Sequence, residues 1–274
     1  MTVSKIGFNK ATGKRRGKYE VIINIYVVLI NHNLAPFSHE RKSDDREVRN
    51  VIKRIFWNRK QAGERLAVRL KGYADRDDVL ILALPRGGVP IGFEIARHLH
   101  APLDVFTVRK LGTPGQEELA MGAIAPGGIR ELNQDIVDAL MISDRDIERI
   151  VKQEQAELER REKAYRGDRP RPEIRDKIVI LVDDGLATGA SMRAAVHALR
   201  QMSPAKITVA VPVGAVDTCS DFRKLADEII CLATPEPFYG VGAWYEDFSQ
   251  TSDEEVRELL DMANEMVKPV GNKT

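Results

Sequence analysis

"KIVILVDDGLATGAS", residues 177–191, joins a continuous apolar run to two acids, a loop containing glycine and the start of a helix. An apolar run this short, with no polar alternation and bounded by turn signals, is the pattern of a strand buried on both faces, as in the middle of a parallel sheet. Beyond the loop, Met192, Ala195, Val196 and Leu199 fall on one face of a helix read over 191–202. Asp183 and Asp184 therefore sit at the carboxyl end of a strand. The loop leads into a helix N-terminus, where unpaired backbone N–H groups and the positive end of the helix dipole favour an anion. Gly189 lets the backbone come close to a ligand, Thr188 and Ser191 add hydroxyl donors, and Ala187 and Ala190 complete the loop. Such a loop suits phosphate, and the adjacent carboxylates suit hydroxyls or a hydrated cation. A ribose 5-phosphate offers that combination, with a phosphate at one end and a vicinal diol at the other.

The same alternation runs outward in both directions. Upstream, "AGERLAVRLKGY" spaces Ala62, Leu66 and Leu70 four apart as an amphipathic helix. "VLILAL" (79–84) is a second fully buried strand closed by Pro85, Gly87 and Gly88, and it is followed by a helix with Pro90 in its first turn and Ile91, Ile95 and Leu99 on one face. "LDVFTV" (103–108) completes a βαβ unit, whose crossover is expected to be right-handed. "RKLGTPGQEELAMG" then reads as a polar, mobile loop. A long charged helix capped at Ser143, with a thin stripe of Ile147, Val151 and Leu158, fills much of a helical insertion over 130–170. Downstream, "KITVAVPV" (206–213), a helix over 216–226 and "EIICLA" continue the pattern. Strand–helix alternation of this kind builds a doubly wound α/β fold, with a mainly parallel sheet and helices on both faces.

Composition narrows the class. With 274 residues, 43% apolar and 30% charged, the chain can bury one sizeable core, and its net charge of +1 argues against binding nucleic acid through bulk charge. The first 50 residues carry ten Lys and Arg against five Asp and Glu, so the rest is mildly acidic. The apolar run "VIINIYVVLI" (21–30) is too short to span a bilayer, which needs about 20 residues. A basic stretch followed by an apolar run also has the order of a signal peptide, but Glu20 abuts the run. Residues 1–50 are read as an accessory or poorly structured extension, or as sequence upstream of the natural start. Residues 51–265 are read as the domain and 266–274 as a tail. Two cysteines, Cys219 and Cys231, lack metal-ligand spacing and read as small apolar fillers in a reducing, cytoplasmic setting. The five histidines read as structural.

Neither G-x-x-x-x-G-K-[ST] nor G-x-G-x-x-G occurs, which removes support for a P-loop or NAD site. "VILVDDGLATGAS" instead resembles the phosphoribosyl-diphosphate (PRPP) signature of the type I phosphoribosyltransferases: apolar residues, two acids, a short loop and T-G-x-[ST]. The resemblance extends over about residues 55–260 to bacterial phosphoribosyltransferase-domain proteins. It implies a five-stranded core in the order 3-2-1-4-5, with the strands before Arg86 and Asp183 side by side, and a small hood over the acceptor. It implies a tight loop after the first core strand that grips pyrophosphate, often through a non-proline cis peptide. Arg86, Gly87 and Gly88 occupy that position here, where glycines expose amides and an arginine can fork onto phosphate oxygens.

The resemblance further implies Mg²⁺ as cofactor, with Asp183 and Asp184 holding the ribose diol and a metal-bound water, and the 187–191 loop holding the 5-phosphate. A mobile loop begins at Arg109 and Lys110, which would take up charge on the leaving pyrophosphate. In the C-terminal "PFYGVGAWYEDFSQ" (237–250), within a hood over 235–250, Tyr239 would stack on a base and Glu246 or Asp247 would be the following acid. The activity implied is transfer of ribosyl 5-phosphate from PRPP to a nitrogen acceptor by a homodimeric enzyme. A PRPP-sensing regulator without turnover and a hydrolase of PRPP or a related sugar phosphate stand as alternatives, because a fold alone does not settle function.

Overall fold

The computed structural model describes residues 54–267, which lie within one compact unit, Ile52–Thr274. The extension over 1–50 and residues 268–274 of the tail lie outside the described residues. Strand β1 (Val79–Ala83) is buried at every position, as an uninterrupted apolar run requires. It pairs in parallel with β2 (Leu103–Val105) on one side and with β6 (Ile178–Val182) on the other. Strands β7 (Lys206–Val213) and β8 (Glu228–Ala233) extend the sheet in parallel, giving β2-β1-β6-β7-β8.

Side chains along these strands alternate between two cores. Val79, Ile81 and Ala83 join Ile180 and Val182 in one, and Leu80 and Leu82 join Val179 and Leu181 in the other. Helices α1 (Arg59–Arg69), α2 (Gly88–Leu99) and α7 (Asp253–Val267) cover the first face through Leu66, Ile91, Ile95 and Leu260. Helices α5 (Ala190–Gln201) and α6 (Val216–Leu225) cover the second through Met192, Val196, Leu199 and Phe222. This is the doubly wound α/β fold.

Three features differ from the sequence reading. Counted along the chain, the sheet reads 2-1-3-4-5, because among the described residues no strand lies on the far side of β2. After three paired residues the chain leaves that edge and forms a separate antiparallel sheet from β3 (Arg109–Thr113), β4 (Gln116–Ala125) and β5 (Ile129–Leu132). Residues expected to form a polar, mobile loop are therefore a hairpin. Leu111 and Met121 are fully buried under it with Ile124, against Ile147 and Leu158. That contact explains the thin stripe of α4 (Asp144–Arg166), whose Ile147 and Leu158 pack on the small sheet while Tyr165 and Arg166 at its C-terminal end reach the first core and the β2 edge of the large one. The insertion opens with strand β5 and continues with a short helix, α3 (Gln134–Ala139), before α4, whose N-terminus is capped by the Ser143 hydroxyl as expected.

Helix α7 runs past the 265 boundary, and a local sequence signal precedes it. The Ser252 hydroxyl accepts the Glu255 N–H at 3.1 Å, a serine cap three residues ahead of an acid. Among the described residues no helix is long and apolar enough to cross a membrane.

Candidate active site

Two loops leave neighbouring strands at their carboxyl ends and meet. The acids follow β6, and the Asp184 N–H donates to the Asp183 side chain at 2.8 Å. The chain then bridges to the end of β7: Leu186 donates to Val213 O at 2.9 Å, and Ala215 donates to Leu186 O at 2.9 Å. Gly189 has φ +70°, and a Cβ there would lie 2.7 Å from the Phe222 ring and 2.8 Å from the Thr218 methyl, so no other residue fits without strain. Thr218 also donates its hydroxyl to Ala187 O at 2.7 Å, so α6 braces the loop from behind. Gly189 has no side chain to cap α5, whose twelve residues begin at Ala190; the Thr188 hydroxyl accepts the Ala190 N–H at a long 3.5 Å, and Ala187, Thr188, Ala190 and Ser191 are exposed. The loop thus presents helix-terminal amides and hydroxyls to solvent, which is the chemistry of an anion site. A cleft of about 170 Å³ lies in front of it, lined by Asp183, residues 185–192, Lys110 and Val241.

The other loop follows β1. The Pro85–Arg86 peptide is cis, and Gly87 and Gly88 start α2. Leu84 donates to Val182 O at 2.8 Å, which holds the loop beside β6. The approach is so close that a Cβ at Gly87 would fall 1.9 Å from Asp184 Oδ2, and one at Gly88 would fall 2.6 Å from Val182 O. Arg86 and Asp184 are therefore on the same side of the molecule, at the ends of adjacent strands. Arg86 is partly exposed and lies 3.7 Å from Asp253 at the start of α7.

The remaining expected residues divide. Lys110 lines the cleft. Arg109, its neighbour on β3, turns away and donates its Nε to Glu154 of α4 at 2.7 Å, because successive strand residues face opposite sides. Tyr239 follows a cis Glu236–Pro237 bond and is 59% exposed, outside the cleft lining. Glu246 pairs with Arg54, and Asp247 accepts the Ser249 N–H at 3.0 Å, so neither acid faces the cleft. The 237–250 segment nevertheless closes on this end of the sheet: Val241 lines the cleft, and Tyr245 donates its hydroxyl to Asp184 O at 2.8 Å.

Several site residues were not legible in the sequence. Arg59, the first residue of α1, donates Nε and Nη2 to Asp184 Oδ2 at 3.1 and 2.8 Å. It is 125 positions away in sequence, and a single arginine at a helix start carries no local signal. Thr218, Tyr245 and Asp253 are in the same position, since each acts through a contact only the fold creates.

Burial shifts the ionisation of this cluster. Desolvation and the neighbouring Asp184 charge push Asp183 well above the usual carboxylate range. Asp184 is raised by desolvation, which the Arg59 charge and hydrogen bonds oppose. The Tyr245 phenol is pushed up by burial and then by Asp184, so it stays a donor at neutral pH. Among the described residues no three His, Cys, Asp or Glu side chains gather to hold a metal. The acid pair offers hard oxygen donors on one side only. That donor set fits Mg²⁺, which keeps several waters and is held by one or two carboxylates together with substrate phosphates.

Comparison with known proteins matches this geometry to a family. The family model described as the phosphoribosyl transferase domain matches residues 53–239. Curated proteins from two Mycobacterium tuberculosis strains, named "Putative phosphoribosyl transferase", are 44% identical over 211 residues, covering 77% of this chain and 47% of theirs. The chain thus spans about half the length of these relatives. The crystal structure of the protein TT1426 from Thermus thermophilus is 39% identical, with a TM-score of 0.66, covering 75% of this chain and 97% of that one. The chain belongs to the phosphoribosyl transferase domain family.

Proposed function

We propose that this protein is a Mg²⁺-dependent phosphoribosyltransferase that binds PRPP and transfers its ribosyl 5-phosphate to a nitrogen acceptor, releasing pyrophosphate. The observation that carries the reading is the meeting of two strand-end loops at one acid pair, with Gly87 pressed against Asp184 and Asp183 facing the 187–191 cleft. A molecule with a phosphate at one end and a diphosphate at the other would span those loops, with its diol against the acids between them.

In this reading residues 187–191 hold the 5-phosphate through amides at the start of α5 and the Thr188 and Ser191 hydroxyls. Asp183 accepts hydrogen bonds from the ribose hydroxyls. Residues 86–88 receive the diphosphate, with Arg86 forking onto its oxygens, and Lys110 approaches from the hairpin side. Mg²⁺ bound through Asp183 or Asp184 and the diphosphate would neutralise charge on the leaving group. As the bond at the ribose C1 breaks, positive charge builds on the ring and negative charge on the diphosphate. Catalysis then rests on positioning and fixed charge more than on a general base. The assignment leaves Arg109 outside the site, tied to Glu154. Tyr239, two residues before Val241, is the hood residue that would meet an acceptor base. A cytoplasmic location and a homodimer accompany this reading, since PRPP is an intracellular metabolite and family members are often dimers.

The test is calorimetric titration of the full chain with PRPP and Mg²⁺, followed by a screen of nucleobases and small amines with pyrophosphate release as readout. Binding that disappears with EDTA, and release that depends on one acceptor, support the proposal. Absence of binding overturns it. Binding without release under any acceptor favours a PRPP-sensing regulator, and release without acceptor favours a hydrolase.

A further inference from the structure

We propose that Arg59 is a positioning residue of this site: together with the 245–249 segment it clamps the Asp184 carboxylate against the 86–88 loop, leaving Asp183 as the member of the acid pair that faces the cleft. This rests on the PRPP-binding reading above for its functional consequence, and on ligand-free geometry for the clamp itself.

Each nitrogen of the Arg59 guanidinium donates a hydrogen bond to the protein. Nε and Nη2 both donate to Asp184 Oδ2, at 3.1 and 2.8 Å, and Nη1 donates to Ser249 O at 2.6 Å. One face lies 3.9 Å from the centroid of the Phe248 ring, a cation–π arrangement that fixes the plane of the fork. Phe248 in turn stacks 5.0 Å from Tyr245, whose hydroxyl donates to the Asp184 carbonyl oxygen at 2.8 Å. Asp184 is thus gripped through its side chain and its main chain by one block, made from the start of α1 and the segment after the 3₁₀ turn at Val241–Trp244. Gly87 closes the opposite side, where a Cβ would be 1.9 Å from Asp184 Oδ2 and 3.3 Å from Arg59 Nε. The side chains of Arg59 and Asp184 are only 12% and 17% exposed.

Two consequences follow from this arrangement. An arginine with all three nitrogens donating to protein oxygens and one face against Phe248 is poorly placed to receive a ligand anion, so its effect on the ligand passes through Asp184. The cleft lining agrees, because it includes Asp183 but neither Asp184 nor Arg59. Tyr245, Phe248 and Ser249 also lie beyond residue 239, where the match to the family model ends. The Tyr245–Ser249 half of the clamp therefore lies beyond the matched residues, while Arg59 and the two loops lie within them.

The test is a double-mutant cycle in the full chain with Arg59→Met, Asp184→Asn and the double variant. Each is measured for urea stability without ligand and for affinity for Mg²⁺–PRPP, with Arg59→Lys as the conservative variant. Arg59→Met is expected to weaken PRPP binding at least tenfold, and Arg59→Lys to recover part of that loss by restoring one charged donor. Once Asp184→Asn is present, Arg59→Met should weaken binding no further. Equal, additive losses in the two backgrounds overturn the inference, since Arg59 would then act on the ligand directly. Where Asp184→Asn alone takes binding out of range, the urea cycle decides: coupling between the two sites supports the clamp, and additivity overturns it. If the unmodified chain does not bind PRPP, the functional reading fails while the same urea cycle still judges the clamp.

Discussion

Replacing Gly87 by alanine probes the contact on which the site depends. Gly87 has φ −62°, so alanine meets no backbone objection and the effect is steric. The added Cβ would lie 1.9 Å from Asp184 Oδ2 and 2.6 Å from its Cγ. Non-bonded heavy atoms settle at about 3.5 Å, so the carboxylate must retreat by about 1.5 Å. It has nowhere to go, because Arg59 holds the same oxygen at 2.8 and 3.1 Å and is itself pinned to Ser249 and Phe248. Either the overpacking persists, at about 1–3 kcal/mol, or hydrogen bonds to a charged group break, at about 1.5–3 kcal/mol. A loss of about 2 kcal/mol of stability is expected in urea unfolding. Separately from the stability loss, Mg²⁺–PRPP binding by calorimetry should weaken about tenfold, or about 1.4 kcal/mol of binding free energy, because the displaced Asp184 carboxylate and the 86–88 loop no longer sit where the ligand meets them. A Gly87→Ala chain with the original affinity and urea midpoint would show that the 86–88 loop and Asp184 are not in fixed contact. Gly88→Ala is the contrasting control: its Cβ would meet Val182 O at 2.6 Å, and a strand carbonyl cannot swing aside, so there the main loss is in stability.

Lys110→Ala should reduce PRPP affinity several-fold with little change in melting, whereas Arg109→Ala, which breaks the Glu154 pair, should alter melting and leave affinity intact; the reverse pattern would reassign the hairpin. Tyr245→Phe removes the hydroxyl bonded to Asp184 O and should cost about 1 kcal/mol in urea unfolding, while its ring contacts with Phe56 and Phe248 persist. On α4, hydrogen bonds from Arg160 and Arg161 hold Glu157 down at about 2. A depressed carboxyl stabilises the fold above its unfolded value of 4.5 and ceases to do so as pH falls toward 2. The melting difference between the original chain and Glu157→Gln should therefore be small at neutral pH, since the pair is solvent-screened, and shrink across that acid window. A difference that grows on acidification would contradict the assignment.

Much of this protein was legible in its sequence because the information is local. "VILVDDGLATGAS" and "VLILALPRGG" each state a buried strand, its end and the turn that follows, since apolar continuity and glycine act over a few residues. Ser143 as a cap and the α5 face of Met192, Val196 and Leu199 are local in the same way. The hairpin at 109–125 misled because its glycines and charges resemble a loop, and its buried side, Leu111 and Met121, is revealed only by the α4 stripe that covers it.

Which residues share a site is a different kind of information. Arg59 and Asp184 are joined because parallel pairing of β1 with β6 and the packing of α1 bring distant termini together. Arg109 and Lys110 part company because a strand sends neighbours to opposite faces. The sequence by itself determined the strand ends and the chemistry each could offer, because short-range sterics and burial patterns set them. Tertiary structure decided which of those ends meet and which side chains were already engaged, because that depends on sheet order and on contacts between segments that no local pattern encodes.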